Sequence, residues 1–311
     1  MLAYEIVNLT KIYPQQAAPA NDRIELDIEC GQIFGLLGDN GAGKTTLVKQ
    51  MANLLVPTSG TIRLFGQPLA CSPLYTPRQI GYMPQTGLAL NNLTVGEALY
   101  FTAHLRGLSR RDAIAERDRV IALWGLGTIR NHITNRLSGG QKRLILLATA
   151  VAASPPVLIL DEPTNDLDPQ RRRLVWDVLR ATNRERGTTI IFITHNALEA
   201  EKVIQRVGIM RQGRLLAVGR PGTLKADLNR QLRLEIVFTP GDPPLLPDGI
   251  HHANPHEIAP GRWQLLIERD AAPAYLEALN HAARIEDFRL STATLEDLYL
   301  SLAELAPDRA E

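Results

Sequence analysis

Cysteine is almost missing from this chain: Cys30 and Cys71 are the two thiols among 311 residues. They lie far apart in sequence and lack metal-type spacing. That argues against a disulfide scaffold or a thiolate metal site, and both are expected to be buried thiols in a reducing compartment. An excess of one charge is also missing. The formal net charge is +1, so no broad basic field draws the chain to nucleic acid. The third absence is a long hydrophobic run. The longest apolar zone, Leu144 to Leu160, is broken by Ser154-Pro155-Pro156, and its halves read as a helix and a strand, not a membrane span. Met1 to Leu9 contains Glu5 and lacks a basic region, so it does not read as a secretory signal. No internal repeat is visible. The length suffices for a large core plus a small extra domain, and the composition agrees with a cytosolic enzyme.

The chain is rich in glycine at particular places. Gly38-Asp39-Asn40-Gly41-Ala42-Gly43-Lys44-Thr45 fits the phosphate-loop pattern G-x-x-x-x-G-K-[ST]. Glycines let the backbone approach a phosphate, and loop and helix N–H groups point at the anion. Lys44 places a point charge on the outer phosphates, and the Thr45 hydroxyl can ligate magnesium. Ile33 to Leu37 reads as a buried strand before the loop, and Thr45 to Leu55 as a helix after it. Further along, Val157 to Leu160 followed by Asp161-Glu162-Pro163 reads as a central parallel strand ending in two carboxylates. Ligands of open α/β sheets bind at such strand ends. Asp161 would stand beside the loop on magnesium, and Glu162 would reach an attacking water as base or orienter.

A second glycine-rich element, Leu137-Ser138-Gly139-Gly140-Gln141, opens a mostly apolar helix, Gln141 to Ala153. Ser138 is a good N-cap, and a positive helix end with flexible glycines suits a phosphate; the plainer reading is a helix cap alone. Tyr13 can stack on adenine or fill the core. Gln85 closes a short strand-like segment, where its amide touches magnesium and water or is simply exposed. His195 ends the strand Thr189 to Thr194 and can donate to a terminal phosphate.

Taken together, these residues resemble the ATP-binding cassette (ABC) ATPases. Leu137 to Gln141 matches the family signature LSGGQ letter for letter. Tyr13, in Lys11-Ile12-Tyr13-Pro14, stands where the family places an aromatic under adenine. Gln85 is similar to the glutamine of the glutamine loop, Asn165 to Pro169 resembles the aspartate loop, and His195 resembles the switch histidine. The resemblance spans about residues 1 to 225. It implies an α/β P-loop NTPase core with a helical subdomain, using ATP and Mg2+. Phosphate contacts would come from Gly38, Asp39, Asn40, Gly41, Ala42, Gly43, Lys44, Thr45 and Thr46, and metal contacts from Thr45, Gln85 and Asp161. Catalysis would rest on Glu162, His195, Gln85 and Lys44.

In that family Ser138, Gly139, Gly140 and Gln141 would grip ATP held by a second copy, in a head-to-tail homodimer or paired cassette enclosing two ATP. Asp168 would lie near the seam or simply start a helix before Pro169. The partner implied is an integral membrane permease on a separate chain, holding the subunit at the inner face of the cell membrane. No nucleic-acid partner is expected. A soluble ABC ATPase of translation or DNA maintenance, or an importer ATPase, is the alternative.

Along the chain, residues 1–227 read as the ABC ATPase domain, with a helical subdomain over about 93–144, and 228–311 as a small α+β appendage. Val95 to Leu105 and Ser109 to Leu123 are helix candidates, the second with a capped start at Ser109-x-x-Asp112. Arg171-Arg172-Arg173 reads as exposed surface. In the appendage, Leu232 to Thr239 and Arg262 to Glu268 read as strands and Ala272 to Ala283 as a helix. His251, His252 and His256 sit in a Pro/Asn-rich loop without carboxylate spacing and do not read as a metal site. Thr294 to Leu300 is similar to a segment closing the ATPases of drug and lipid exporters, or is an amphipathic helix with Leu295, Leu298 and Leu302 on one face. Asp166 stands where many relatives have glycine.

Overall fold

Alternation of apolar and polar residues builds the first sheet. β1 (Leu2–Lys11) buries Ala3, Tyr4, Ile6 and Leu9 and pairs antiparallel with β2 (Asn21–Glu29). The computed structural model describes residues 1–14, 18–69, 74–85, 87, 91–194, 197, 201–226, 231–238, 256–280, 285–292 and 294–305. The chain divides into two compact units, Met1–Arg220 and Pro221–Glu311.

In the first unit, β3 (Ile33–Leu37) is buried along its length and leads through Gly38 to Gly43 into α1 (Lys44–Met51). β4 (Ser59–Leu64) and β5 (Gln67–Pro68) complete a four-stranded sheet in the order β2-β1-β4-β5. α2 (Tyr75–Gln79) runs straight into β6 (Ile80–Met83). Two helices follow, α3 (Val95–Leu105) and α4 (Arg110–Leu123). Thr94 opens α3 with a capping box: its Oγ1 accepts from the Glu97 N–H at 3.2 Å, while Glu97 accepts from the Thr94 N–H at 2.8 Å. Ser109 caps α4 by accepting from the Asp112 N–H at 3.2 Å, as its sequence spacing leads one to expect.

α5 (Gly139–Val151) begins two residues before the apolar run, because Ser138 caps it. β7 (Val157–Asp161), α6 (Pro169–Arg186), β8 (Thr189–Ile193), β9 (Arg206–Arg211) and β10 (Arg214–Gly219) complete the unit. The second sheet has the order β10-β9-β3-β8-β7-β6, parallel throughout except for the antiparallel edge strand β10. Its central strands β3, β7 and β8 carry continuous apolar runs because both faces are covered. Leu47, Val48 and Met51 of α1 join one core with residues of both sheets. Burying side chains of that size is worth about 1.5–3 kcal/mol each, and it fixes the helix that follows the phosphate loop.

The second unit opens with α7 (Pro221–Leu224) and a strand, β11 (Gln231–Phe238). β12 (His256–Ala259), β13 (Arg262–Glu268), α8 (Ala272–Asn280), β14 (Ile285–Thr292) and α9 (Leu295–Leu305) follow. The sheet order is β12-β13-β11-β14 with every neighbouring pair antiparallel. β13 and β14 are therefore parallel across β11 and joined by α8, a split βαβ arrangement. Leu232, Leu234, Ile236 and Phe238 alternate onto one face and pack with Leu265, Ile267, Ala272 and Leu279 in a core of their own. Thr294 caps α9 against Asp297, and Arg233 of β11 pairs with the same carboxylate. Leu295 and Leu298 are buried and Leu302 half-buried.

Three expectations need correction. Cys30 is exposed, because it stands in the turn after β2 and not on the strand's inner face; Cys71 lies outside the described residues. Arg173 is exposed, but Arg171 and Arg172 are half-buried, since both turn back on the loop before α6: Arg171 pairs with Asp168 at 3.4 Å, and Arg172 donates to the Leu167 carbonyl at 3.2 Å. His256 starts β12 as an exposed residue and is not part of a loop; His251 and His252 lie outside the described residues. No described helix is long and apolar enough to cross a membrane.

Candidate nucleotide-binding site

Two glycines give the phosphate loop its shape. Gly38 has φ +152° and Gly43 φ +96°, and a Cβ would lie 2.2 Å from the Met210 carbonyl at the first and 2.2 Å from the Ala20 carbonyl at the second. No side chain fits either place. The loop carbonyls are held from behind. Asn21 Nδ2 donates to the Gly43 carbonyl at 3.1 Å, and Gln50 Nε2 donates to Asn21 Oδ1 at 2.7 Å and to the Thr46 carbonyl at 3.3 Å. The Gly213 N–H, in the turn between β9 and β10, donates to the Ala42 carbonyl at 3.0 Å. With carbonyls turned back, loop amides are available on the other side for an anion.

Lys44 lies across the loop, its Nζ donating to the Gly38 and Asp39 carbonyls at 2.7 Å each. Burial pushes its pKa down, opposed by the charges of Glu162, Asp161 and Asp39. The parallel register of β7 brings Asp161 to the same end of the sheet. There the Thr45 hydroxyl donates to Asp161 Oδ2 at 3.2 Å. Burial raises the Asp161 pKa and the Thr45 hydrogen bond opposes it; the neighbouring Glu162 adds to the rise. Glu162 is buried at φ +53°, with its N–H held by the Ile193 carbonyl at 3.0 Å. A left-handed glutamate costs about 1–3 kcal/mol of backbone strain, at a position next to a buried carboxylate.

The other motifs surround this pair. Tyr13 is half-buried, its hydroxyl 3.5 Å from Thr46 Oγ1 and its ring centroid 5.6 Å from Lys11 Nζ. Gln85 is exposed two residues past β6. Thr194 follows β8, its N–H donating to the Leu36 carbonyl at 3.4 Å; His195, the next residue, lies outside the described residues. Ser138 and Gln141 form a reciprocal capping box at the start of α5, Ser138 Oγ accepting from the Gln141 N–H at 3.4 Å and Gln141 Oε1 accepting from the Ser138 N–H at 3.0 Å. Behind them a Cβ on Gly140 would lie 2.8 Å from Arg171 Nη1 and 3.5 Å from the Asp166 carbonyl. The signature thus packs on the aspartate loop of its own chain. Asp168 caps α6, accepting from the Arg171 N–H at 2.9 Å.

One side chain that sequence reasoning missed ties these loops together. Arg143, on α5 and nearly buried, donates to the Gln85 carbonyl at 3.0 Å and lies 3.5 Å from Asp166 Oδ2. A cation two residues beyond a helix-opening glutamine was the available signal. Asn21, Gln50 and Gly213 were missed too: their partners are distant in sequence, and a polar residue at the head of an alternating strand was the only hint of Asn21.

A glycine loop leading into a helix, beside carboxylates on a parallel strand two positions away in the sheet, defines the P-loop class of nucleotide-binding α/β proteins. Within that class the comparisons are specific. Residues 21–165 match the family model described as ABC transporter. The chain is 33% identical over 297 residues to the daunorubicin/doxorubicin resistance ATP-binding protein DrrA of Streptomyces peucetius, covering 95% of this chain and 84% of that one. It is 38% identical over 232 residues to the retinal-specific phospholipid-transporting ATPase ABCA4 of Homo sapiens, covering 75% of this chain and 10% of that much longer protein. Among solved structures, an ATP-binding subunit of an ABC transporter superposes with TM-score 0.66 at 28% identity, over 72% of this chain and 92% of that one. A dimeric cassette, MJ0796, with bound ADP and Pi superposes with TM-score 0.66 at 23% identity, over 70% of this chain and 98% of that one, and shares the fold. The chain belongs to the ABC transporter family, as an ATP-binding subunit with ATPase activity.

Proposed function

We propose that two copies of this chain close head to tail around two ATP molecules, and that closure powers export through a permease on a separate polypeptide. One observation supports this most. Thr45 and Asp161 meet at 3.2 Å beside Glu162, while Ser138–Gly140 form an exposed to half-exposed, capped helix start on the same unit. That supplies two halves of an ATP site, which a second copy can join.

In this reading residues 1–227 are the ATPase domain and 228–311 an accessory domain. The Gly38–Thr46 amides and Lys44 take the phosphates, and Tyr13 stacks on adenine. The second copy's signature completes the grip. Thr45, Asp161 and Gln85 would hold Mg2+, a fit supported by the hard oxygen donors of Thr45 and Asp161 meeting at 3.2 Å and by a buried Asp161 whose charge burial disfavours. Bound there, the metal would supply positive charge beside the phosphates. Glu162 orients or deprotonates water, and His195 donates to the terminal phosphate. The permease docks at the cytoplasmic membrane face over a cavity of about 410 Å³ lined by Leu54, Pro77, Ile80, Tyr82 and Leu105. Leu54 and Leu105 are 62% and 77% exposed, apolar surface that a partner would cover. The names of the relatives, a drug-resistance protein and a phospholipid-transporting ATPase, favour an amphiphilic cargo.

Turnover tests the assignments. Glu162→Gln is expected to keep ATP affinity and lose at least about a hundredfold in hydrolysis, whereas Lys44→Ala weakens nucleotide binding by about tenfold or more. Normal hydrolysis by Glu162→Gln, or unchanged affinity in Lys44→Ala, would contradict them.

A further inference from the structure

The C-terminal end of α5 is held by a side chain that the ATP chemistry does not use. A helix leaves its last four carbonyls without intrahelical partners, and α5 ends without a glycine. Ala148 accepts from the Ala152 N–H at 3.0 Å and Val151 from the Ser154 N–H at 2.9 Å. The Thr149 and Ala150 carbonyls both accept from Arg106 Nη1 at 2.9 Å, and the Ala152 carbonyl accepts from the same nitrogen. The chain then turns through Ala153 (φ +62°) and Ser154 (φ +51°), a left-handed pair that side chains disfavour. Glu116 of α4 steadies that turn by accepting from the Ala153 N–H at 2.8 Å, and Arg119 grips Glu116 with two bonds of 2.7 Å.

Arg106 is the C-cap residue of α3. It also lines the cavity between Leu54, Pro77, Ile80 and Tyr82. Burial pushes its pKa down to about 10, so the charge carries a desolvation cost that charge-assisted hydrogen bonds from the two N–H groups of Nη1, shared among these carbonyls, offset. An apolar residue could fill the space without that cost. What the guanidinium adds is a fixed anchor for the helix end. α5 has 13 residues, roughly 20 Å of stiff rod, with Ser138–Gln141 at its far end.

We propose that Arg106 is a positioning residue for the signature half of the ATP site: by holding the C-terminal carbonyls of α5 it sets the axial position of that helix, and so of Ser138–Gln141 at its far end. This rests on the reading of Ser138–Gln141 as the second copy's grip on ATP.

The test uses the full chain carrying Glu162→Gln, alone and with Arg106→Gln or Arg106→Lys. Nucleotide affinity is measured at protein concentrations too low for dimers, and the dimer dissociation constant in saturating ATP with Mg2+. Arg106→Gln is expected to change monomer affinity by less than about twofold and to weaken the dimer by about tenfold or more. Arg106→Lys, with three donors and the charge kept, recovers most of that loss. If Arg106→Gln does not fold, Glu116→Gln, which loosens the turn after α5 at Ala153, carries the same comparison and is expected to weaken the dimer and spare the monomer. Undiminished dimerisation, or equal losses in monomer affinity and dimerisation, would overturn the proposal. Failure of the Glu162→Gln parent to dimerise would overturn the reading beneath it, before any Arg106 variant is compared.

Discussion

Lys44, Asp161 and Glu162 keep an ammonium and two carboxylates where little water reaches. Such an arrangement is costly to the empty protein and useful once a polyphosphate and its cation arrive. Asp161 gives a clean test. Its pKa is raised in the folded chain, first by burial, so the folded state holds that proton more tightly than the unfolded one. The associated stability is present below the unfolded-state pKa and is lost as pH rises through the folded value. Asp161→Asn keeps the acceptor for the Thr45 hydroxyl and drops the charge, so it should raise the melting temperature of the nucleotide-free protein by a few degrees while abolishing the extra stabilisation given by ATP with Mg2+. Calorimetry with and without nucleotide measures both, and a nucleotide-free variant less stable than the parent would count against a desolvated carboxylate. These residues were legible in sequence because a phosphate-loop pattern and an acidic strand end put particular atoms at fixed spacing. The supports behind them were not. Asn21 reaches Gly43, and Gly213 reaches Ala42, across folds of chain that no local pattern encodes.

At the scale of elements, α5 carries the most chemistry. Its start is a capping box, its third residue Gln141 closes that box, and Arg143 one turn inside binds the Gln85 carbonyl and Asp166. Ser138→Ala removes the side-chain acceptor for the Gln141 N–H and should cost about 1 kcal/mol of stability. Hydrogen exchange is expected to speed up in the first turn of α5 and stay unchanged at its C-terminal end, where Arg106 holds on; uniform fraying of the helix would contradict that division. Fully buried strands such as β7 and capped helices such as α3 could be read from their residues. β12 and β14 could not, because most of their positions are exposed or half-exposed, and a strand without a clear buried face loses its period-two signal. Cys30 misled for a related reason: it follows an alternating strand but falls in the turn.

Over the whole molecule, strand order is set by packing more than by local sequence. β3 sits between β9 and β8, strands drawn from the far end of the first unit, which is how the phosphate loop comes to face residues more than a hundred positions away. The second unit has its own apolar core, as a segment able to fold for itself requires. The proposed closure depends on ATP as the link between two copies, since a ligand drives a conformational equilibrium only through unequal affinity for its two states. The most direct measurement is the mass in solution of the Glu162→Gln chain, by sedimentation or light scattering, with and without ATP and Mg2+. The account predicts a shift from 34.3 kDa to twice that mass on adding nucleotide, reversed by Ser138→Arg in the signature. A chain that binds ATP and keeps its monomer mass would contradict it.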